Sequence, residues 1–185
     1  MKNIVHLLFI LTLCFFKVEN SNAQSFASDD GYVEFVSSAP MLEFRGKSNQ
    51  LAGLVDLEKN LVDFYVDLNT LDTGINLRNN HMRDSYLETE KYPFAEFTGK
   101  MISDYSELPQ EAQQVTVAGT FKIHGVEREM EIEGTLTPDG DGLTLDASWI
   151  VKLEDHNIDR PRVVFYELAD EQIVNISIKL NPHGN

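Results

Sequence analysis

A chain of 185 residues with 30 acidic and only 15 basic side chains carries a formal net charge of −15. Such a charge repels phosphate backbones and anionic lipid head groups at long range, which argues against a nucleic-acid partner. The only cysteine of the chain leaves no intrachain disulfide, so apolar burial and hydrogen bonding must hold the fold.

The first 23 residues are typical of an export signal. Lys2 supplies a positive end, residues 4–16 form an apolar run, and Ser21-Asn22-Ala23 places small residues before a cut at Gln24. The run is too short to span a bilayer, so no stable membrane insertion is expected. We predict a signal peptide at residues 1–23, a single domain at residues 24–185, and a periplasmic or secreted location.

Cys14 lies inside the apolar run and allows an alternative interpretation as a lipoprotein signal. Bulky Leu13 directly before the cysteine and the apolar Phe15 and Phe16 after it favour a cleaved, unlipidated signal. Cleavage before Gln24 would then remove the only thiol.

From Gly31 onward, apolar and polar residues alternate with a period of two, which is typical of strands with one wet face. The alternating apolar runs are Val33 and Phe35; Leu42 and Phe44; Gly53, Val55 and Leu57; Phe64, Val66 and Leu68; Ala95, Phe97 and Gly99; Val115, Val117, Gly119, Phe121 and Ile123; Met130 and Ile132; Leu143, Leu145, Ala147, Trp149 and Val151; and Val174, Ile176, Ile178 and Leu180. The pattern predicts eight or nine strands.

Short polar or glycine-bearing turns separate several of these runs and predict antiparallel hairpins. They are Glu58-Lys59-Asn60, His124-Gly125 and the stretch 138–142. Consecutive hairpins with one apolar face favour an all-β, antiparallel up-and-down barrel of about eight strands, because closure removes exposed edges. A two-sheet sandwich is the alternative. The glycines within strands, namely Gly53, Gly99, Gly119 and Gly134, indicate bends or close backbone approach.

The stretch 71–101 interrupts the alternation for longer than a hairpin loop requires. Its residues recur at helical spacing from Leu77, and Asn76 is a candidate cap, while Tyr92-Pro93 forces the backbone out of the helical region. We predict one helical insertion near residues 76–90, with about three helical turns between residues 77 and 88.

Several stretches occur in an order that resembles one known family. They are an Asp-Thr pair after the fourth run (72–73), His81-Met82, Tyr86-Leu87, Lys91-Tyr92-Pro93, Ala-x-Phe-x-Gly-Lys at 95–100, Val-x-Gly-x-Phe-x-Ile-His-Gly-Val at 117–126, and Leu-Glu-Asp-His-Asn-Ile-Asp-Arg-Pro at 153–161. This set resembles the YceI-like family of lipid- and polyisoprenoid-binding proteins, in a periplasmic-type member. The resemblance implies a lipocalin-like barrel that encloses an isoprenoid or acyl chain, with the insertion over one mouth.

The inward phase of the strands carries six aromatic side chains, and by itself it leaves open whether the barrel interior is filled or holds one ligand. The resemblance implies a ligand tunnel. The candidate wall residues are Phe35, Phe44, Phe64, Val66, Met82, Tyr86, Phe97, Val117, Phe121 and Trp149.

Polar candidates are few. His81 on the predicted helix and Arg128, in phase with Met130 and Ile132, are candidate polar contacts at a mouth, although an ordinary helix histidine and an arginine that reaches solvent explain them as well. No metal-ligand spacing, nucleophile motif or phosphate-cradling loop occurs, so we expect no metal, no cofactor and no catalytic residue.

The leading hypothesis is an exported, non-catalytic protein that holds or carries an apolar chain such as an isoprenoid, a quinone or a fatty-acyl or amide lipid. The alternatives are a filled barrel with an interaction or stress-related role and, third, an enzyme built on His81 and Arg128. A homodimer is left open.

Overall fold

The computed structural model describes residues 25–39, 42–102, 108–159 and 168–184. The predicted signal peptide at residues 1–23, with Cys14, lies outside the described residues, as does the Arg-Pro pair that ends the stretch 153–161.

The described chain is built from eight strands. Their bounds are β1 Ser25–Ala39, β2 Leu42–Asp56, β3 Leu61–Asp67, β4 Phe94–Met101, β5 Gln113–Ile123, β6 Val126–Asp139, β7 Gly142–Lys152 and β8 Glu171–Pro182. Helical structure comprises the 3₁₀ turns Leu68–Thr70 and Leu153–His156, the α-helix Asn76–His81 (α1) and a π-helical turn at Met82–Tyr86.

The strands form one closed antiparallel barrel in which each strand pairs with its successor and β8 pairs with β1. The predicted up-and-down barrel is confirmed, and the sandwich alternative is wrong because there is a single closed sheet. The geometry of a tight turn explains the antiparallel pairing of β5 with β6. At His124-Gly125, both residues have positive φ, at 53° and 72°, which is the geometry of a tight two-residue hairpin.

Of the eight or nine strands predicted, eight form, because the runs at 42–44 and 53–57 belong to one strand. β1 and β2 are 15 residues each and pair along most of their length. Register shifts in β1 between Ser28 and Gly31 and between Gly31 and Val33 bend this long hairpin into the barrel wall.

Two glycines allow the wall to curve where β4 meets β5. Gly99 and Gly119 face each other across the strand pair. A Cβ atom on Gly119 would lie 2.5 Å from the Thr98 carbonyl oxygen, and one on Gly99 would lie 2.8 Å from the Ala118 carbonyl oxygen. The predicted close backbone approach is therefore present at this pair.

The helical insertion between β3 and β4 is tied to the barrel at its base. Lys47 on β2 exchanges two backbone hydrogen bonds with Asp72, at 3.0 and 2.9 Å. Buried Asn79 on α1 accepts hydrogen bonds from the backbone N–H and hydroxyl of Thr73 and donates one to Asp72, at 2.7 to 2.8 Å. Asp72, Thr73 and buried Asn79 thus form a polar anchor for the insertion.

The insertion is helical as predicted, but its start and its internal form differ from the prediction. Ile75, with extended φ and ψ, is the N-cap of α1 and makes no side-chain capping bond, whereas Asn76 is already helical. The backbone widens into a π-helical turn from Met82 before it ends at Leu87. The local pattern could not show this, because the anchor at Asn79 holds the first turn in place of a cap.

The two ends of the barrel differ. One end is filled by fully buried apolar side chains, among them Phe26, Leu57, Leu143 and Leu180. The β3–β4 insertion, the β5–β6 turn and the described start of the β7–β8 connection, residues 153–159, lie at the other end, because all three follow odd-numbered strands. The filled end is the floor, and the other end is the mouth.

Candidate apolar ligand cavity

A cavity of about 630 Å³ occupies the barrel between the floor and the mouth. Its wall is predominantly apolar, and it falls within the 300–1,000 Å³ common for small-molecule sites. The inward side chains of the strands therefore do not fill the interior, and a hollow barrel is observed where the strand pattern left both outcomes open.

All ten wall candidates chosen from the sequence line this cavity. They are Phe35, Phe44, Phe64, Val66, Met82, Tyr86, Phe97, Val117, Phe121 and Trp149. Most come from the inward phase of the strands, while Met82 and Tyr86 come from the π-helical turn of the insertion. The wall includes edge-to-face aromatic pairs, Phe35 with Phe44 and Phe121 with Trp149, each with ring centroids 6.0 Å apart.

The mouth lies between α1 and the upper part of β2. The Arg78 guanidinium lies 4.4 Å from the centroid of the Phe44 ring, a cation–π contact that joins the helix to the strand. His81, an exposed residue, also lines the cavity, and so do Ile75 and Leu77, which are 48% and 65% exposed. At this edge, apolar side chains that line the cavity are therefore also exposed to solvent.

The first residues of the β7–β8 connection, 153–159, cover the opposite side of the mouth. Leu153 and Ile158 are buried against the cavity. His156, also buried, donates from Nδ1 to the Val126 carbonyl oxygen at 3.1 Å and packs edge-on against Phe121. Burial lowers the pKa of His156, more than the Val126 carbonyl raises it, so the imidazole favours its neutral form.

His124 joins this cover to the insertion. Its Nδ1 lies 3.1 Å from the His156 carbonyl oxygen and its Nε2 lies 3.3 Å from Glu88 Oε2, while its ring packs edge-on against Tyr92. One side chain, His124, thus connects the start of the β7–β8 connection to the β3–β4 insertion. The sequence predicted His124 only as a turn residue, because its partners lie more than 30 residues away.

Residues 16–181, which are nearly the whole chain, match the sequence profile of the YceI-like domain. The chain belongs to the YceI-like family. The resemblance inferred from the ordered stretches is confirmed.

Two curated relatives match part of this YceI-like chain. A UPF0312 protein of Photorhabdus laumondii is 29% identical over 106 residues, which are 54% of the chain and 52% of the relative. A UPF0312 protein of Yersinia enterocolitica is 29% identical over 104 residues, 52% of the chain and 51% of the relative. The chain therefore matches about half the length of each relative.

Solved structures share the fold at low sequence identity. A polyisoprenoid-binding domain from Saccharophagus degradans superposes with a TM-score of 0.75 at 19% identity, over 87% of this chain and 99% of that one. BcnA from Burkholderia cenocepacia gives 0.67 at 17% identity, over 81% and 95%. The YceI protein of Campylobacter jejuni gives 0.56 at 19% identity, over the whole of both chains. These likenesses show the YceI-like barrel.

Arg128, the second polar candidate, does not line the cavity of the YceI-like barrel. It is exposed at the start of β6, and its Nη1 donates a hydrogen bond to the neighbouring Glu127 carbonyl oxygen at 3.0 Å. A strand end next to a turn lets a long side chain reach solvent although its phase points inward. Of the two polar candidates, the structure thus brings only His81 to the cavity.

Gln172 and Arg78 line the cavity and were not chosen from the sequence. Signals for both existed, because Gln172 shares the inward phase of Val174 and Ile176, and Arg78 precedes Met82 by one helical turn. Both residues are polar, and for that reason they were not chosen although their positions face inward.

The described part of the chain contains neither a metal-binding cluster nor a membrane-spanning helix. Within it, no group of three or more His, Cys, Asp or Glu side chains is arranged to hold a metal ion. None of the helices there is long and apolar enough to cross a bilayer.

Proposed function

We propose that the protein binds one apolar, chain-like lipid inside the barrel and acts as a carrier or store for it, without catalysing a reaction. The observation that carries the proposal is the cavity of about 630 Å³ with its apolar wall. Transfer of an apolar chain from water to such a wall is favourable by about 25 cal/mol for each Å² of chain surface removed from water.

The shape of the site supports a chain rather than a compact ligand. Its wall extends from Leu136 and Met101 in the lower barrel to Phe44 and Leu77 at the mouth. The family and the structural neighbour described as a polyisoprenoid-binding domain add support for an isoprenoid, quinone or fatty-acyl or amide lipid. An enzyme built on His81 and Arg128 lacks support, because only His81 lines the cavity.

Mass spectrometry of an organic extract tests the proposal on protein purified without detergent. We expect one chain-like lipid per molecule. A consistently empty protein that also binds no added isoprenoid would show that the cavity is not a carrier site.

A matched pair of variants locates the lipid. Val117 lines the cavity, while the next residue on β5, Ala118, is exposed on the outer face. We expect Val117→Trp to lose most of the extracted lipid and Ala118→Trp to retain it. Equal retention in both variants would place the lipid outside the barrel.

We further propose that the protein works after export, on the basis of the signal pattern at residues 1–23. The intact mass of the exported protein should correspond to a chain that begins at Gln24. A mass that includes a diacylated Cys14 would instead show a lipoprotein.

A further inference from the structure

One cation at the mouth of the cavity has no acidic partner. Arg78 on α1 lines the cavity, and its guanidinium lies 4.4 Å from the centroid of the Phe44 ring. Arg78 makes no hydrogen bond or ion pair with any residue in the described ranges. The other arginines in those ranges each donate a hydrogen bond: Arg45 to Glu34, Arg83 to the Leu71 carbonyl oxygen and Arg128 to the Glu127 carbonyl oxygen.

The contact with Phe44 positions the Arg78 side chain but leaves its donors without an acceptor. A ring face attracts the positive charge, whereas the five N–H groups of a guanidinium need acceptors that a ring supplies only weakly. The helix is itself held in place, because Asn79, the next residue, is bonded to Thr73 and Asp72. The N–H groups of Arg78 are therefore positioned for an acceptor that the described residues do not supply.

Arg78 is also the one uncompensated charge in the described cavity wall. Glu96 is the single carboxylate of that wall, and it accepts a hydrogen bond from Lys122 Nζ at 2.9 Å. His81, three residues after Arg78 and thus on the same helical face, lines the cavity too and adds no negative charge. An apolar cavity with one cation at its rim is complementary to an amphiphile with an anionic head.

The wall between the mouth and the floor is long enough for an extended chain. Its residues on β5 run from Val115 to Ile123, which is about 26 Å at about 3.3 Å for each residue. A strand tilt of about 40° reduces this length to a depth of about 20 Å, comparable to an extended hexadecyl chain.

We propose that Arg78 recognises the head group of the bound chain and that this head group is a carboxylate, so that the ligand is a long-chain fatty acid. A carboxylate presents two oxygens to the planar guanidinium fork, and its single charge matches a single arginine. A phosphate would bring further negative charge to a chain of net charge −15. Screening beyond about 8 Å at physiological salt lets contact with Arg78 outweigh distant acidic side chains. The inference rests on the proposed function and specifies its ligand class.

Displacement of an uncharged, pyrene-labelled fatty-chain probe tests the site, with hexadecanoate, hexadecanamide and hexadecyl phosphate as competitors below their aggregation limits. The amide is the neutral counterpart of the carboxylate and has nearly the same shape. We expect the parent protein to bind hexadecanoate roughly tenfold more tightly than the amide, because an ionised acceptor strengthens the hydrogen bonds to arginine, and more tightly than the phosphate. Arg78→Gln should reduce the carboxylate-to-amide ratio to about one, because any loss of packing on Phe44 affects both ligands alike.

Arg45→Gln is the matched control for Arg78→Gln. Arg45 follows Phe44 on β2, but its side chain is exposed and pairs with Glu34 instead of lining the cavity. The substitution changes the net charge by the same amount, so the carboxylate-to-amide ratio should stay at the parent value. An unchanged ratio in Arg78→Gln, or an equal fall in both variants, would overturn the proposal.

The parent protein alone also decides the matter if a variant does not fold. Equal binding of hexadecanoate and hexadecanamide, or tightest binding of the phosphate, would overturn the carboxylate site while leaving chain binding intact. Failure of the probe to bind, or of every chain to displace it, would overturn the proposed function and the carboxylate site with it.

Discussion

Two leucines on one strand distinguish a hollow barrel from a solid one. Leu143 and Leu145 both point inward from β7, but Leu143 is fully buried in the floor beside Leu180, whereas Leu145 lines the cavity. We compare Leu143→Phe with Leu145→Phe. The chemical change is the same in both, and only the space in front of the side chain differs.

The expected losses in the free energy of unfolding follow from the space in front of each leucine side chain. Overpacking a solid core typically costs about 1–3 kcal/mol, which for Leu143→Phe corresponds to a loss of about 2–12 °C in Tm. At Leu145, the added ring atoms enter the void. Filling about 30 Å³ of cavity recovers about 0.7 kcal/mol at about 24 cal/mol per Å³, so the net cost should stay below about 1 kcal/mol.

Urea denaturation gives both free energies of unfolding, and displacement of a fluorescent fatty-chain probe gives lipid affinity for the same samples. Leu145→Phe should weaken lipid binding although it barely changes stability, while folded Leu143→Phe should bind almost as the parent does. If Leu145→Phe lost as much stability as Leu143→Phe, the interior at Leu145 would be solid and the carrier reasoning would fail.

Three further predictions concern the wall and its cover. Trp149 is the only tryptophan of the chain and lines the cavity, so its emission should change saturably when an isoprenoid is added. Phe121→Ala should weaken that binding. It should also lower the free energy of unfolding by less than the roughly 3–5 kcal/mol typical of a solid core, because the ring already faces a cavity. A parent emission that never responds would contradict this. Burial lowers the pKa of His156, so between that folded pKa and the ordinary histidine value of about 6.5 the unfolded chain binds more protons than the folded one. The free energy of unfolding should therefore fall as the pH drops through this range. His156→Gln should flatten this pH dependence in denaturant titrations, and an unchanged slope would show that another group causes it. Gly119→Ala should cost about 1–3 kcal/mol by calorimetry, because its Cβ would meet the Thr98 carbonyl oxygen at 2.5 Å, and a neutral effect would show that the wall can relax there.

Local pattern favoured the barrel, and the closed sheet then excluded the sandwich. Side chains of a strand alternate strictly between two faces, so the period-two runs identify the inward residues, and short turns such as His124-Gly125 impose antiparallel neighbours. The same periodicity chose the eight wall residues on strands, because inward in a closed barrel means towards its centre, whereas Met82 and Tyr86 came from the insertion. The insertion was recognisable as an interruption of that period.

Whether the centre is empty depends on properties that no single strand carries. Leu143 and Leu145 share a strand, a face and a residue type, yet one fills the floor and the other lines the cavity, because neighbours from other strands meet above one and not the other. A related reason hid the role of His124, whose partners His156 and Glu88 are brought near only when the barrel closes. Periodicity thus determined which side chains face inward, and three-dimensional packing decided how much space they leave and which polar atoms, such as Trp149 Nε1 and Gln172 Oε1, are buried without hydrogen-bond partners among the described residues.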